Sequence, residues 1–279
     1  FAAEEAAGVP RDAPHRRYVE PHHKPELLVA VTEFRALCGF REPEAAADTL
    51  AELEVPALAQ VVAWLRDGKL GQAVRTLLEW PAPQRADLVS EVVAAAASRP
   101  EHALAVELAA AYPDDVGVVV ALLLNHVVLA PGEAIFMPAG NLHAYLSGVG
   151  VEVMAASDNV LRGGLTPKHV DVSELLRVLR FEPLIEPVRR PVPVGPGVVT
   201  WPVPVADFAL HRVRLAGDVA GAELAAAGPR VVLCVAGELR VADGVSEITL
   251  RSGEAGFGPP VGRLRLSGAG EAYVASTAA

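Results

Sequence analysis

The sequence predicts a mainly β protein that carries an inserted helical domain. Residues 126–172 and residues 198–279 contain short apolar runs that are broken by glycine and proline. This sequence pattern is typical of antiparallel barrels and jelly rolls. Between the N-terminal segment and the first of these regions, residues 43–125 carry apolar side chains at helical spacing. We therefore expect two jelly-roll barrels plus a helical insertion.

The N-terminal 42 residues are expected to be mostly loop with one strand. Prolines punctuate the first 25 residues, and the apolar run from Leu27 to Val31 is predicted as a buried strand. We assign residues 1–42 and 126–172 together to the first barrel, because the helical block separates two β segments of one unit.

Residues 43–125 are predicted to form four or five helices. Apolar residues recur every three or four positions, first at Leu58, Val61, Val62 and Leu65, and then at Leu70, Val74, Leu77 and Leu78. Prolines and glycines between these stretches mark the helix ends. The helices are therefore expected to be short.

The second half of the chain is predicted to be β structure interrupted by one short helix. That helix covers residues 173–180, with Ser173 as its N-cap, inside a proline-rich linker of residues 173–197. The second barrel covers residues 198–279. Expected strands are 127–129, 134–137, 151–154, 208–215, 230–235, 238–242, 248–250 and 272–275.

Composition excludes several classes of partner. The net charge is −10 and no block of lysine and arginine occurs, which argues against nucleic acid. The longest strongly apolar stretch, residues 116–124, is too short to cross a bilayer, so no membrane partner is expected. Two cysteines without metal-type spacing are typical of a reduced cytoplasm. We expect a monomer, with a dimer as the alternative.

Lysine and asparagine are both scarce. The chain has only Lys24, Lys69, Lys168, Asn125, Asn141 and Asn159. In a sequence that otherwise uses arginine, a retained lysine can mark a position that requires the compact ammonium group of lysine. Chance retention explains any single lysine equally well. Four of the six residues fall between 125 and 168, which directs attention to that segment.

The pattern Gly132-x5-Pro138-x-Gly140-x2-His143 matches the second sequence motif of the cupin fold. The glycines allow a tight turn, and a neutral imidazole after that turn is a ligand suited to zinc. The alternative is a core histidine with ordinary hydrogen bonds. We favour a divalent metal site at His143, inside a cupin barrel.

A second metal ligand is expected near the start of the first strand. His22, His23 and Glu26 are adjacent candidates that spacing alone does not separate. Glu26 opens an apolar run, where a carboxylate is costly unless it is paired or bound to metal. The alternative for Glu26 is a surface glutamate at a strand end.

A third group of candidates lies in residues 152–168. Glu152 interrupts an apolar strand, so strand alternation can direct it into the cavity that His143 faces. Arg162 precedes a Gly-Gly pair and Lys168 follows a proline, which places two cations on a flexible loop suited to an anionic ligand. The alternative is an exposed basic loop.

Four sequence segments together resemble those of the type I mannose-6-phosphate isomerase family. The order of the segments and the helical insertion between them also match that family, so the resemblance covers essentially the whole chain. They are His23-Lys24-Pro25-Glu26, Leu37-Cys38-Gly39-Phe40, Pro138-Ala139-Gly140-Asn141-Leu142-His143-Ala144-Tyr145 and Asp158-Asn159-Val160-Leu161-Arg162-Gly163-Gly164-Leu165-Thr166-Pro167-Lys168. The resemblance implies one zinc ion per chain, held by Glu26, His143 and a Gln-x-His pair. That pair would precede Phe1, so we expect this sequence to lack an N-terminal segment.

The resemblance also implies roles for further residues. Arg162 corresponds to the catalytic arginine of the family, and Lys24, Glu152 and Lys168 correspond to positions that line its pocket. The C-terminal unit has no histidine after residues 259–262, so it resembles the metal-free second cupin of the family. With two ligands outside this sequence, a zinc site formed by the remaining residues alone is expected to be weak or empty, and the chain as given need not be active.

The implied reaction is the interconversion of mannose 6-phosphate and fructose 6-phosphate through a cis-enediol. Glu152 is the candidate for proton transfer, with Lys24, Lys168 or a metal-bound water as alternatives. Arg162 would stabilise the developing anion or anchor the phosphate. Two other functions stay open: a metal-dependent cupin oxygenase, and a non-catalytic module that binds sugar phosphates.

Overall fold

The β-strands make up most of the regular structure of the protein. The computed structural model describes residues 1–13, 15–225, 228–258 and 263–277. The strands within those ranges are β1 Glu26–Ala30, β2 Phe34–Phe40, β3 Leu124–Leu129, β4 Ala134–Met137, β5 His143–Ser147, β6 Gly150–Met154, β7 Val188–Arg189, β8 Val192–Gly195, β9 Val198–Thr200, β10 Ala209–Leu215, β11 Gly221–Leu224, β12 Arg230–Ala242, β13 Glu247–Arg251, β14 Ala255–Gly258 and β15 Leu264–Ser276.

The helices lie mainly between β2 and β3, where helical periodicity predicts them. They are α1 Ala2–Ala6, α2 Pro43–Glu52, α3 Ala59–Arg66, α4 Leu70–Leu78, α5 Arg85–Ala96, α6 Ala103–Ala111, α7 Gly117–Ala121 and α8 Val172–Val178. Residues 43–121 are all described and hold six of these helices, against four or five predicted. None of the described helices is long and apolar enough to cross a membrane.

Two small antiparallel sheets enclose the first β core. One sheet has the strand order β6-β1-β4-β7 and the other has β3-β2-β5. Buried side chains from both sheets meet between them, among them Leu28 of β1, Cys38 of β2 and Ile135 of β4. Every second residue of a strand faces the same side. The face of β1 that carries Leu28 therefore also carries Glu26, and it looks into this interior.

The other face of β1 packs against the C-terminal β unit. Leu27 and Phe136 form a buried cluster with Trp201 and Tyr273, and the indole N–H of Trp201 donates a hydrogen bond of 3.0 Å to the carbonyl oxygen of Gly132. Because β1 is covered on both faces, its sequence reads as a continuous apolar run rather than as an alternation.

The C-terminal unit is one large antiparallel sheet in the order β13-β12-β15-β10-β9-β8, with β11 on β15 and β14 on β12. The two strands predicted at 230–235 and 238–242 are a single strand, β12, with a bulge between Cys234 and Ala236. Gly237 follows the bulge at a φ of 74°, and a Cβ there would lie 2.3 Å from the Ala269 carbonyl oxygen. Residues 259–262, where the sequence predicted no ligand histidine, lie outside the described part of the chain.

One N-cap prediction was wrong. Helix α8 begins at Val172 and its N-cap is Asp171, whose Oδ1 accepts a 3.0 Å hydrogen bond from the backbone N–H of Glu174. Aspartate caps a helix as well as serine does, and a glutamate three residues later reinforces that choice. Ser173 therefore lies inside the helix. The division of the chain into domains at residues 43, 126, 173 and 198 stays a prediction.

Asn125 connects three segments near the start of β3. Four backbone carbonyl oxygens lie 3.0–3.4 Å from its Nδ2, those of Cys38, Gly39, Phe40 and Leu184. These carbonyls belong to the irregular end of β2 and to the segment that crosses it, where regular strand pairing is interrupted. The two protons of the side-chain amide are shared among these acceptors, of which the Phe40 carbonyl also accepts a 2.7 Å hydrogen bond from the backbone N–H of Leu184.

We expect Asn125→Ala to lower the free energy of unfolding by about 1–3 kcal/mol, because it removes the two donor protons that these backbone carbonyls share. Urea denaturation monitored by tryptophan fluorescence measures this change. Val128→Ala is the matched control, since Val128 is on the same strand and is 54% exposed. A loss no larger than that of the control would contradict the assigned role of the amide.

Candidate active site

Glu26 and His143 face each other at the edge of the first β core. Glu26 begins β1 and His143 begins β5, and the His143 Nε2 lies 3.2 Å from the Glu26 Oε2. The Nζ of Lys24 lies 3.4 Å from the other carboxylate oxygen. The second ring nitrogen of His143 lies 3.2 Å from the carbonyl oxygen of Asn141, which orients the imidazole.

Strand register explains why these two residues meet. Cys38 of β2 pairs with His143 of β5, so both side chains are on the same face of that sheet. The sheet carrying β1 packs over this face, and Glu26 points into the same interior as Leu28. Neither strand pair alone brings the carboxylate to the imidazole; the packing of the two sheets does.

The three adjacent candidates His22, His23 and Glu26 have different surroundings. Glu26 is 8% exposed and contacts His143. His23 instead is exposed, and its Nε2 lies 3.1 Å from Asp207. His22 lines a neighbouring cavity of about 480 Å³, on which Lys24, Glu26 and His143 also border.

The charges of the pair stabilise each other. Burial of the Glu26 carboxylate acts to raise its pKa, but the hydrogen bond and charge of His143, together with Lys24, outweigh burial and hold the pKa below its usual value. Burial acts to lower the pKa of His143, and the hydrogen bond and charge of Glu26 raise it above its usual value. Each partner thus favours the charged form of the other.

A cavity of about 440 Å³ opens beside the pair. Its volume is within the range of roughly 300–1,000 Å³ that small-molecule sites occupy. The polar and charged side chains that line it include Lys24, Glu26, His143, Tyr145, Glu152 and Arg162. A helix of the inserted block, α7, supplies part of the cavity wall through Val120 and Ala121.

Glu152 reaches this cavity from β6, and its neighbour Tyr145 was not singled out by sequence reasoning. The Tyr145 hydroxyl donates a 2.5 Å hydrogen bond to the Glu152 Oε1. Burial raises the pKa of Glu152, and the charge of Glu26 adds to that effect. The signal that could have identified Tyr145 is its position two residues after His143, on the same face of β5.

Arg162 lies in the cavity wall without a protein partner. It makes no hydrogen bond or ion pair with any residue that the structure describes, so its guanidinium is free to bind an anion. Lys168 is exposed and is not among the residues that line this cavity. The substrate-binding role of Lys168 thus stays a prediction without support from its position.

The Glu26–His143 pair fits as part of a zinc centre. An imidazole nitrogen and a carboxylate oxygen converge, the ring is oriented by a backbone carbonyl, and these are donor types that zinc uses. Zinc sites take three or four protein ligands, and no group of three His, Cys, Asp or Glu side chains suited to a metal occurs among the described residues. The pair therefore accounts for two ligands of such a centre.

The chain is similar to known proteins over most of its length. A family model described as phosphomannose isomerase type I, catalytic domain, matches residues 3–43. A mannose-6-phosphate isomerase of Salmonella typhimurium is 38% identical, over 97% of this chain and 70% of that protein. The Escherichia coli mannose-6-phosphate isomerase is 37% identical, over 92% of this chain and 66% of that protein.

Solved structures agree with these relatives. A crystal structure of the Salmonella typhimurium mannose 6-phosphate isomerase, bound to fructose 6-phosphate and zinc, superimposes with a TM-score of 0.84 at 35% identity, covering 100% of this chain and 72% of that one. Identity at this level over so much of the relative's length confirms the resemblance that the sequence motifs indicated. The chain belongs to the type I phosphomannose isomerase family.

Proposed function

We propose that the protein is a zinc-dependent aldose–ketose isomerase that interconverts mannose 6-phosphate and fructose 6-phosphate through a cis-enediol. The observation that carries this proposal is the convergence of Glu26 and His143, 3.2 Å apart, on a cavity that an unpaired arginine also lines. Such a site offers metal ligands on one side and a fixed positive charge on the other, as an anionic sugar substrate requires.

Glu26 and His143 would hold the metal. Zinc bound there supplies Lewis acidity toward the oxygens at C1 and C2 of the sugar. Lys24, 3.4 Å from the Glu26 carboxylate, adds to the effect of His143 in lowering the pKa of that carboxylate, and it contributes positive charge to the cavity. Two further ligands are expected from the Gln-x-His pair that the family resemblance implies.

Glu152 is suited to proton transfer. Its raised pKa brings a carboxylate closer to the range in which it accepts a proton and returns it efficiently. In the direction from mannose to fructose, the C2 proton moves to the carboxylate while the C1 carbonyl oxygen gains a proton, which gives the cis-enediol. The carboxyl proton then returns to C1 while the C2 hydroxyl loses its proton and becomes the carbonyl, so the hydroxyl proton moves in net from O2 to O1. The Tyr145 hydroxyl, 2.5 Å from the carboxylate, fixes the orientation of the acceptor oxygen.

Arg162 can supply positive charge to a substrate without first breaking an ion pair or hydrogen bond with another described residue. A guanidinium in the cavity wall can stabilise the enediolate or bind the substrate phosphate in a bidentate manner. A non-catalytic sugar-phosphate-binding module would use the same cation, so only a turnover measurement distinguishes the two functions. The raised pKa of Glu152 beside the metal ligands favours the enzyme.

We expect Arg162→Ala to reduce turnover of mannose 6-phosphate by roughly 10²–10³-fold or more, as loss of a preorganised charge does at other enzyme sites. A coupled assay for fructose 6-phosphate measures kcat and KM separately. A fall in kcat assigns Arg162 to the enediolate, and a rise in KM assigns it to the phosphate. Arg190→Ala is the control, because that side chain is 86% exposed. Near-normal kinetics of Arg162→Ala would remove Arg162 from the mechanism.

We expect Glu26→Gln to weaken zinc binding by at least about 10–100-fold, since the variant replaces an anionic ligand by a neutral amide. Competition with a chromophoric chelator measures the affinity without any activity assay. Glu33→Gln, at an exposed position in the turn after β1, is the matched control. Equal zinc affinity in both variants would show that Glu26 is not a metal ligand.

A further inference from the structure

We propose that Asp115 and Gly117, at the end of the inserted helical block, are positioning residues that hold the loop carrying Arg162. The inference rests on the proposed function, because it assigns the loop position to catalysis. Neither residue carries a chemical group into the reaction. Both act through the backbone of residues 163–166, which they contact directly.

Helix α7 and the loop meet along one wall of the 440 Å³ cavity. Gly117 begins α7 and lines the cavity, as does the whole stretch of residues 160–166. The helix is buried from Gly117 to Ala121 and leads into β3, so it is fixed in the core of the helical block. The loop is therefore packed against a rigid partner on this side.

The contact is so close that only glycine fits on either side. A Cβ on Gly117 would lie 2.8 Å from the backbone nitrogen of Leu165 and 3.1 Å from the Cα of Gly164. A Cβ on Gly164 would lie 2.9 Å from the Cα of Gly117, and the φ of Gly164 is +116°, a conformation that favours glycine. Any side chain at Gly117 would push the loop away from the helix.

The Asp115 carboxylate bridges the two segments. Its Oδ1 accepts a 2.7 Å hydrogen bond from the backbone N–H of Gly117, and its Oδ2 accepts one of 3.4 Å from the backbone N–H of Thr166. Between these contacts Leu165 has a φ of 52°, a left-handed conformation that a leucine adopts only when its surroundings impose it. The carboxylate and the glycine contact together impose that backbone.

The position of Arg162 depends on this backbone because its guanidinium has no partner of its own within the described residues. The next residue, Gly163, packs against the Leu142 side chain, where a Cβ would lie 2.6 Å from Cδ2. The loop is thus clamped on both sides immediately after Arg162: by Leu142 at Gly163, and by α7 at Gly164. A displacement of about 1 Å at a catalytic group can cost on the order of 10²-fold in rate.

Asp115→Asn tests the bridge selectively. Asparagine keeps an oxygen for the Gly117 N–H but presents an NH2 group to the Thr166 N–H, so the start of α7 is preserved while the link to the loop is lost. We expect amide hydrogen exchange in residues 163–166 to accelerate about three- to tenfold, the effect of losing one hydrogen bond. The urea midpoint should stay close to that of the parent protein. Asp87→Asn, at an exposed position of α5, is the matched control.

Kinetics test whether the loop acts through Arg162. We expect Asp115→Asn to lower activity about tenfold, in the same parameter, kcat or KM, that Arg162→Ala changes. In the Arg162→Ala background it should have almost no further effect, because the group that it positions is gone. Gly117→Ala, whose Cβ would lie 2.9 Å from the Asp115 Oδ1 as well as against the backbone of the loop, should give the same pattern with a larger loss.

Each outcome decides the proposal. Unchanged amide exchange in residues 163–166 for both variants overturns the proposal. Activity losses that multiply with that of Arg162→Ala overturn it as well. A parent protein that binds zinc but does not isomerise mannose 6-phosphate would contradict the proposed function alone, since hydrogen exchange still shows whether Asp115 and Gly117 hold the loop. Faster amide exchange together with a non-additive loss of activity supports both the positioning role of Asp115 and Gly117 and the proposed function.

Discussion

The burial of one carboxylate governs the arrangement of the site. Glu26 is 8% exposed at the start of an apolar strand, where an unpaired charge would be strongly unfavourable. His143 from β5 and Lys24 from the preceding loop neutralise it, at 3.2 and 3.4 Å. The two sheets of the first β core must therefore pack in one alignment, because a shift of a single residue in β1 would turn Glu26 away from the imidazole.

The other parts of the protein support this pair from outside. The C-terminal sheet covers the outer face of β1 through Trp201 and Tyr273 and leaves the inner face to the site. The helical block returns to the first β unit through α7, which forms part of the cavity wall. The inserted helices are therefore part of the architecture of the site, although no periodic pattern in the sequence indicates that contact.

The sequence predicted helices and strands correctly where one local pattern of residues dominates. Helical periodicity placed the helices between residues 43 and 121, and short apolar runs placed β3, β4 and β6. Local signals did not show that residues 230–242 form one bent strand, since a bulge depends on the neighbouring strand β15. They also placed the cap of α8 at Ser173 rather than Asp171, because both residue types suit that position. The scarcity of asparagine drew attention to Asn125, whose amide joins the end of β2 to β3 and to the segment around Leu184.

For the site, the sequence by itself determined which chemical groups are available: a histidine after a Pro-x-Gly turn, a glutamate that opens an apolar strand, and an arginine before two glycines. Tertiary structure decided which of these groups meet. Only the packing of the two sheets separates Glu26 from His22 and His23, and the same packing brings Tyr145 of β5 to Glu152 of β6. The physical reason is that residue types and local periodicity are encoded along the chain, whereas distances between side chains on different strands depend on register and on the close approach of segments such as Gly117 and Gly164.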